Sequence, residues 1–336
     1  WGSDTYGTYT SDSRSTDLFA WDHPDHLAVF AAGNAGRDSD RNGVVDPGSV
    51  GSPATAKNAL AVGATENDRL PGTGGYSAYT WGAAWPNRYP VEPIAGDYLS
   101  YSATLNPRYL QGMAAFSSRG PTLDGRVKPD VVAPGTDVLS TQSAVGDPVW
   151  RAFGANPRYC FGGGTSMSAP LIAGTALLLR QYATERAGIT NPSAALIRAM
   201  MAGGARSLTP GQYGTTLFRE IPAISPNSVE GWGQPDIRDT VHPRRRMVRL
   251  YDGIHPGAGQ TNLFLIPVSV SHTPLDLVLA WTDYPATAGA GVTRVNDLDL
   301  LVTAPNGTVL YPNGGTERDG VNTIERLHLP VAMPGT

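Results

Sequence analysis

The chain has 336 residues, with 25 basic and 29 acidic side chains, a net charge of −4, and 16% charged against 40% hydrophobic residues. That balance excludes a general nucleic-acid binder, which needs a basic face. The 40 glycines and 28 prolines fit a loop-rich globular protein rather than a helical bundle or a disordered tail, and the length exceeds what one hydrophobic core usually serves, so two domains are expected.

Residues 1–20 are rich in Ser, Thr and Asp and read as loop. Leu27-Ala28-Val29-Phe30-Ala31-Ala32 and Ala59-Leu60-Ala61-Val62-Gly63-Ala64 are short apolar runs bounded by turn residues, the pattern of strands buried on both faces. Val131-Val132-Ala133 and Val138-Leu139 are shorter runs of the same kind. Residues 69–112 hold many Tyr, Trp, Gly and Pro without a period and read as a surface insertion.

A helix is predicted from about Ser166 to Arg186. It is apolar on nearly all sides and therefore expected to be buried. A second is predicted from Asn191 as N-cap, with Pro192 at the first helical position, to Gly203-Gly204. Strands and helices together indicate an α/β fold with a mainly parallel sheet flanked by helices. After about residue 245, Thr261–Val270, Leu275–Thr282, Asp297–Thr303, Thr308–Tyr311 and Thr323–Leu329 alternate in character between turn signals, which predicts an all-β sandwich. The run Arg244-Arg245-Arg246 reads as a solvated linker between the two parts. One cysteine, Cys160, excludes an internal disulfide. No stretch reaches the ~18 apolar residues of a membrane span, so neither a membrane nor a nucleic acid is an expected partner. The chain starts at Trp1 and stops within a strand-rich region, so both ends read as cut.

The chemistry concentrates at Gly163-Gly164-Thr165-Ser166-Met167-Ser168-Ala169-Pro170. A serine here opens a helix just after a flexible glycine loop. Glycine lets the backbone approach a substrate closely, and a helix N-terminus offers unpaired N–H groups to a developing oxyanion. An ordinary serine near a helix N-terminus is the plainer reading of the same pattern. The lipase-type elbow does not fit, because Ser168 stands where a second glycine is required.

These residues resemble the serine box of the subtilisin-like (S8) proteases. Further blocks follow that family's order. Ala31-Ala32-Gly33-Asn34 resembles the block that bears the oxyanion asparagine. Phe116-Ser117-Ser118-Arg119-Gly120-Pro121, followed by Lys128-Pro129-Asp130-Val131-Val132-Ala133-Pro134-Gly135, resembles the stretch before the serine box, and Gly231-Trp232-Gly233 resembles the end of the catalytic domain. The resemblance covers nearly the whole chain and points to the branch that carries a C-terminal β-sandwich, jelly-roll-like, here truncated.

It implies the second half of a catalytic domain in residues 1–242 and the sandwich in residues 245–336. It also implies Ser166 as nucleophile, Asn34 as oxyanion donor and Thr165 as a support of the oxyanion hole. Gly33 and Gly164 would line the substrate site. Gly51, in Val50-Gly51-Ser52-Pro53, would form the floor of a pocket for large uncharged side chains. Protein or peptide substrates, a secreted location, and no cofactor for catalysis follow from the same resemblance. Met167, beside the nucleophile, would be open to sulfoxidation.

The chain departs from the family where the base should be. The aspartate and histidine blocks belong upstream of the asparagine block, and neither appears. None of the histidines, His23, His26, His242, His255, His272 and His328, has the His-Gly-Thr context. His23 and His26, in Asp22-His23-Pro24-Asp25-His26, suit either a metal or dyad pattern or a solvated helix end. Without a base Ser166 is an unactivated hydroxyl, so this polypeptide alone is expected to be inactive and its partner is the missing half of the catalytic domain. Other readings are a pseudo-protease that binds or scaffolds, one half of a split protease, and a carbohydrate-binding sandwich with Tyr284 and Tyr311 as its aromatics.

Structural calcium is expected at two places. Asp38, Asp40, Asn42 and Asp46 supply oxygens at positions 1, 3, 5 and 9 of a loop with Gly43 at 6 and the Val44 carbonyl at 7, the spacing of an EF-hand-type loop, although Ser49 replaces the glutamate at 12. In Asn296-Asp297-Leu298-Asp299 the carboxylates of Asp297 and Asp299 would share one face of a strand, where a cation would relieve their repulsion.

Overall fold

A computed structural model describes residues 2–69, 75, 77–101, 112–145, 151–154, 156–242, 247–269 and 274–335. The Arg244–Arg246 run lies outside the described residues, as do parts of the 69–112 insertion and the end of the Thr261–Val270 segment. In chain order the elements are helix α1 (Ser11–Asp22), strands β1 (Val29–Ala31), β2 (Leu60–Thr65) and β3 (Asn67–Asp68), helix α2 (Trp81–Ala84), and strands β4 (Ser100–Tyr101), β5 (Val131–Pro134), β6 (Val138–Thr141), β7 (Arg151–Ala152) and β8 (Tyr159–Gly162). Helices α3 (Thr165–Glu185) and α4 (Ala194–Gly203) follow, then β9 (Ala205–Arg206), β10 (Gln234–Pro235), α5 (Ile237–Val241), β11 (Leu275–Ala280), β12 (Val302–Thr303), β13 (Val309–Leu310) and β14 (Ile324–Leu329).

The apolar runs form the parallel sheet β1-β2-β5, with Val29 opposite Leu60 and Val62 opposite Val131. Every residue of β2 is buried, as a central parallel strand requires, whereas β1 at the edge is half-buried throughout. Helix α3 lies on this sheet. Ile172, Ala176, Leu179 and Ala183, at helical spacing, meet Leu60, Val62, Val131 and Ala133 and the α4 residues Leu196, Ile197, Met200 and Met201. A helix buried on all sides is not observed: Leu171, Leu177 and Leu178 are 44%, 68% and 51% exposed on its outer face. Helix α4 begins later than its sequence suggests, with Ser193 as the N-cap accepting from Leu196 N–H at 3.0 Å.

The polar start of the chain is helical, not loop. In α1 the buried positions are Ser13, Asp17 and Ala20. Ser13 Oγ meets Ser52 Oγ at 3.0 Å and Thr55 Oγ1 at 2.7 Å, and Asp17 accepts from Tyr9 O–H and from the N–H groups of Lys57 and Asn58. A helix that buries its face through hydrogen bonds has no apolar period to read.

The insertion is also more than surface. Trp81, Tyr89, Ile94 and Leu99 form a buried cluster with Ala64, Ala114 and Ala115, and Trp81 Nε1 donates to buried Glu66 at 2.8 Å.

In the C-terminal part the described residues form two separate antiparallel ladders, β11-β14 and β12-β13, which do not by themselves show a two-sheet sandwich. Burial does not alternate cleanly: β14 buries Ile324, Glu325 and Leu327, on both of its faces, and β11 is half-buried throughout. The β11-β14 ladder packs on the rest of the chain: Ile324, Val278 and Ala280 join Ala202, Ala205 and Trp232. Lys57 Nζ, fully buried, donates to Asp283 at 2.6 Å and to the Thr293 carbonyl at 2.7 Å, and Arg198 donates to the Trp281 carbonyl and to Thr323.

Candidate active site

Ser166 sits at the second position of α3, exposed, and its hydroxyl has no hydrogen-bond partner among the described residues. Strand β8 delivers the chain to it through Gly163 and Gly164. Gly164 is the N-cap, with φ +138 and no side chain to cap the first turn. The helix start is therefore left with free N–H groups. Ser168, two residues on, is buried and ties the helix to β5 by donating to the Ala133 carbonyl at 2.9 Å.

Asn34 follows β1 and faces this helix start. Its Oδ1 accepts from Thr165 N–H and from Thr165 Oγ1, each at 2.9 Å, and Thr165 Oγ1 in turn accepts from Gly33 N–H at 3.3 Å. Two donors hold the oxygen, so the amide nitrogen must be the free end. Neither Asn34 Nδ2 nor the Ser166 N–H has a partner among the described residues. A Cβ placed on Gly164 would lie 3.3 Å from Asn34 Nδ2 and 3.7 Å from Ser166 N. Both donors thus border one space, which glycine leaves open beside the nucleophile.

Gly33 is held at φ +116, and a Cβ there would stand 2.7 Å from Ser118 Oγ. That hydroxyl accepts from Ala35 N–H at 3.0 Å. The structure thus brings Ser166, Thr165, Asn34, Gly33 and Gly164 together. It adds Ser118, for which the sequence offers no signal beyond its place in a family-like block. Gly51 lies further back. It is buried, donates to the Ala32 carbonyl at 2.9 Å, and stands so close to Ser3 that a Cβ would meet the Ser3 carbonyl oxygen at 2.6 Å.

No described hydrogen bond joins a base to Ser166. His23 is the C-cap of α1 and its Nδ1 donates to the Phe19 carbonyl at 3.0 Å. Its ring stacks on Phe19 at 4.2 Å, and His26 meets the same ring edge-on at 5.0 Å. Both are helix-end histidines, not a dyad with the serine.

The loop after Asn34 does converge its oxygens. One carboxylate oxygen from each of Asp38, Asp40 and Asp46 lies within 4.8 Å of the others. Asp38 is buried and accepts from Asn42 and Gly43 N–H at 2.9 and 3.0 Å. Its burial raises its carboxyl above the ordinary range. Asn42 Oδ1 accepts from Val44 N–H at 2.8 Å, closing the turn. Three carboxylate oxygens, one of them from buried Asp38, are the kind of hard donors that could hold a cation of the calcium type. Ser49 is drawn away from the loop, accepting from Arg119 N–H at 2.9 Å.

The second acidic pair fails the same test. Asp297 and Asp299 are not on a strand, and each has its own arginine, Arg294 for Asp297 and Arg318 for Asp299 at 2.8 Å. Local cations relieve the repulsion that would otherwise call for a metal.

The model of the subtilase family matches residues 1–223. The chain belongs to the subtilase family. The serine protease/ABC transporter B family protein tagD of Dictyostelium discoideum is 25% identical over 96% of this chain and 22% of its own length. Pyrolysin of Pyrococcus furiosus is 33% identical over 57% of the chain and 11% of its own length. The C5a peptidase of Streptococcus pyogenes is 45% identical over 23% of the chain and 6% of its own length. The chain spans about a fifth of the length of tagD and of its Dictyostelium discoideum counterparts tagB and tagA, which match it along nearly its whole length.

Proposed function

We propose that this chain supplies the nucleophile and the oxyanion donors of a serine endopeptidase. Ser166 Oγ attacks the scissile carbonyl. The oxygen of that carbonyl becomes negative in the space beside Gly164, which Asn34 Nδ2 and Ser166 N both border and where the positive end of α3 favours charge. Expulsion of the amine leaves an acyl-enzyme on Ser166, which water then cleaves. Thr165 keeps Asn34 in the correct flip by occupying its oxygen with two donors. The shared space between the two free donors is the observation that carries this reading.

The serine still needs a base to take its proton, and in this reading a histidine oriented by an aspartate comes from polypeptide outside these 336 residues. The exposed leucines of α3 support that assignment, because a contiguous apolar face left open to solvent marks a surface that another polypeptide covers. Asp38, Asp40, Asn42, the Val44 carbonyl and Asp46 would hold a structural calcium, and the reaction itself would use no cofactor. The enzyme acts outside the cell on this reading, as the family resemblance implies.

A fluorophosphonate probe tests the function. The 336-residue chain alone should label slowly. Addition of a polypeptide bearing the aspartate and histidine blocks, in cis or in trans, should give rapid labelling that Ser166→Ala abolishes. Asn34→Ala should cost about 10²–10³ in kcat, the range established for loss of the oxyanion asparagine in subtilisin. Labelling that stays slow with the blocks present would make the protein a pseudo-protease.

A further inference from the structure

Arg88 stands in the turn after α2, inside the insertion, yet its guanidinium reaches the segment that carries the oxyanion donor. Nε donates to the Gly36 carbonyl at 2.7 Å, and Nη2 donates to the Asn34 carbonyl. The neighbouring Tyr89 hydroxyl donates to the same Gly36 carbonyl at 2.8 Å. The peptide unit joining Asn34 to Ala35 is thus gripped at both ends, its oxygen by Arg88 and its N–H by Ser118 Oγ at 3.0 Å.

This grip matters because, among the described residues, Arg88 is the group that holds the Asn34 carbonyl itself, while Thr165 holds its side chain. The residue is exposed, and Gly33 before it has φ +116. Thr165 determines which end of the side-chain amide is oxygen. Arg88 determines the direction of the main chain from which that amide projects. A guanidinium fork can bond two carbonyls of one turn in fixed geometry, whereas an ammonium is a rotatable point charge. The base of the fork is rigid: Tyr89 is 1% exposed and packs edge-on against Trp81 with ring centroids 5.7 Å apart, in the buried cluster that ties the insertion to Ala114 and Ala115.

We infer that Arg88 is a positioning residue for the reaction at Ser166, holding the Asn34 main chain so that Nδ2 faces the space beside Gly164. The inference rests on the reading of Ser166 and Asn34 given above. Arg88 touches no reacting atom and acts through Asn34. The insertion then becomes part of the catalytic apparatus, since an element some fifty residues downstream in sequence sets the aim of the oxyanion donor.

The test uses the polypeptide that contains the aspartate and histidine blocks together with this chain, hydrolysing a peptide substrate. Arg88→Ala should lower kcat about tenfold with KM within about twofold, since the loss is confined to the transition state and is smaller than the ~10²–10³ for removing the donor itself. Arg88→Lys should restore part of it. In an Asn34→Ala background Arg88→Ala should have no further effect, because one residue acts through the other. An unchanged kcat, or equal losses in both backgrounds, overturns the role. If the unaltered protein hydrolyses nothing, the proposed activity fails, and Arg88 is read from the chain itself by selective ¹⁵N-asparagine labelling. The Asn34 side-chain amide pair, identified by its loss in Asn34→Ala, should shift and broaden in Arg88→Ala and stay close to its place in Arg88→Lys. A pair that does not move in Arg88→Ala overturns the inference.

Discussion

Asp283 and Asp38 are both buried carboxylates outside helices and strands, and the charges around them differ. Asp283 receives the chain's own cation. Lys57 Nζ sits 2.6 Å from it, fully buried, and also reaches the Thr293 carbonyl, while Val295 and Asn296 N–H complete the carboxylate at 2.8 Å each. Asp38 receives only N–H donors, and the charges that converge on it are the carboxylates of Asp40 and Asp46. The first site is complete in the polypeptide, so it can bind the C-terminal part to the rest permanently. On the calcium proposal the second would take an ion from solution, and its stability would then follow the medium.

The largest effect should come from breaking the internal pair. Burial lowers the pKa of Lys57 while Asp283 opposes the shift, so the pair stands on its geometry. Lys57→Met leaves Asp283 charged and buried, and should cost about 3–5 kcal/mol in denaturant unfolding. Lys57→Met with Asp283→Leu should recover only part of that, because the leucine abandons the N–H groups of Val295 and Asn296.

A third buried cluster sharpens the comparison, because there the neutralising cation is a proton. Glu66, Asp97 and Glu220 are all raised, chiefly by burial, and Glu220 is pushed up to about 7 despite Arg119 nearby at 3.6 Å. A carboxyl raised in the folded state stabilises below its unfolded pKa and loses that contribution as pH rises through the folded value. Stability should therefore fall between about pH 4.5 and pH 7, by on the order of 3 kcal/mol for Glu220 alone. Glu220→Gln should flatten that part of the profile, read by melts across pH. A slope unchanged in the variant would remove Glu220 from the account.

The acidic loop Asp38–Asp46, proposed above to hold calcium, should respond less strongly. Calcium at about 100 times its Kd should add about 2.7 kcal/mol. The gain should appear as a rise in Tm, disappear with a chelator, and be absent in Asp38→Asn. The smallest effect belongs to the exposed pair Arg318–Asp299, whose arginine is 63% exposed. Arg318→Ala should cost under about 1 kcal/mol and change neither calcium response nor fold.

Local pattern is legible in the chain where it agrees with the final environment. The central strands read correctly because Leu60–Thr65 is buried on both faces, and the serine box stands out because Gly164 and Ser166 lie within a few residues of each other. Helix α1 is hidden because its buried face is Ser13 and Asp17, satisfied by Ser52, Thr55, Lys57 and Asn58, which lie about forty residues away. The insertion is hidden because Trp81, Tyr89 and Ile94 have no spacing to recognise until they meet Ala64 and Ala114. Alternation alone suggests a sandwich in the C-terminal part, but it says only that one face is covered, and here Trp232 and Ala202 share in covering it.

The amino-acid sequence by itself determined the family, the candidate nucleophile Ser166, the candidate oxyanion donor Asn34 and the acidic loop Asp38–Asp46. Each depends on residues adjacent in the chain, where covalent geometry sets the spacing. Tertiary structure alone decided that Asn34 and Ser166 N–H border one space, that Arg88 grips the Asn34 carbonyl, that Asp297 and Asp299 have arginines in place of a shared cation, and that Lys57 closes on Asp283. Each of these pairs a charge or dipole with a partner that the fold, not the chain order, places within reach.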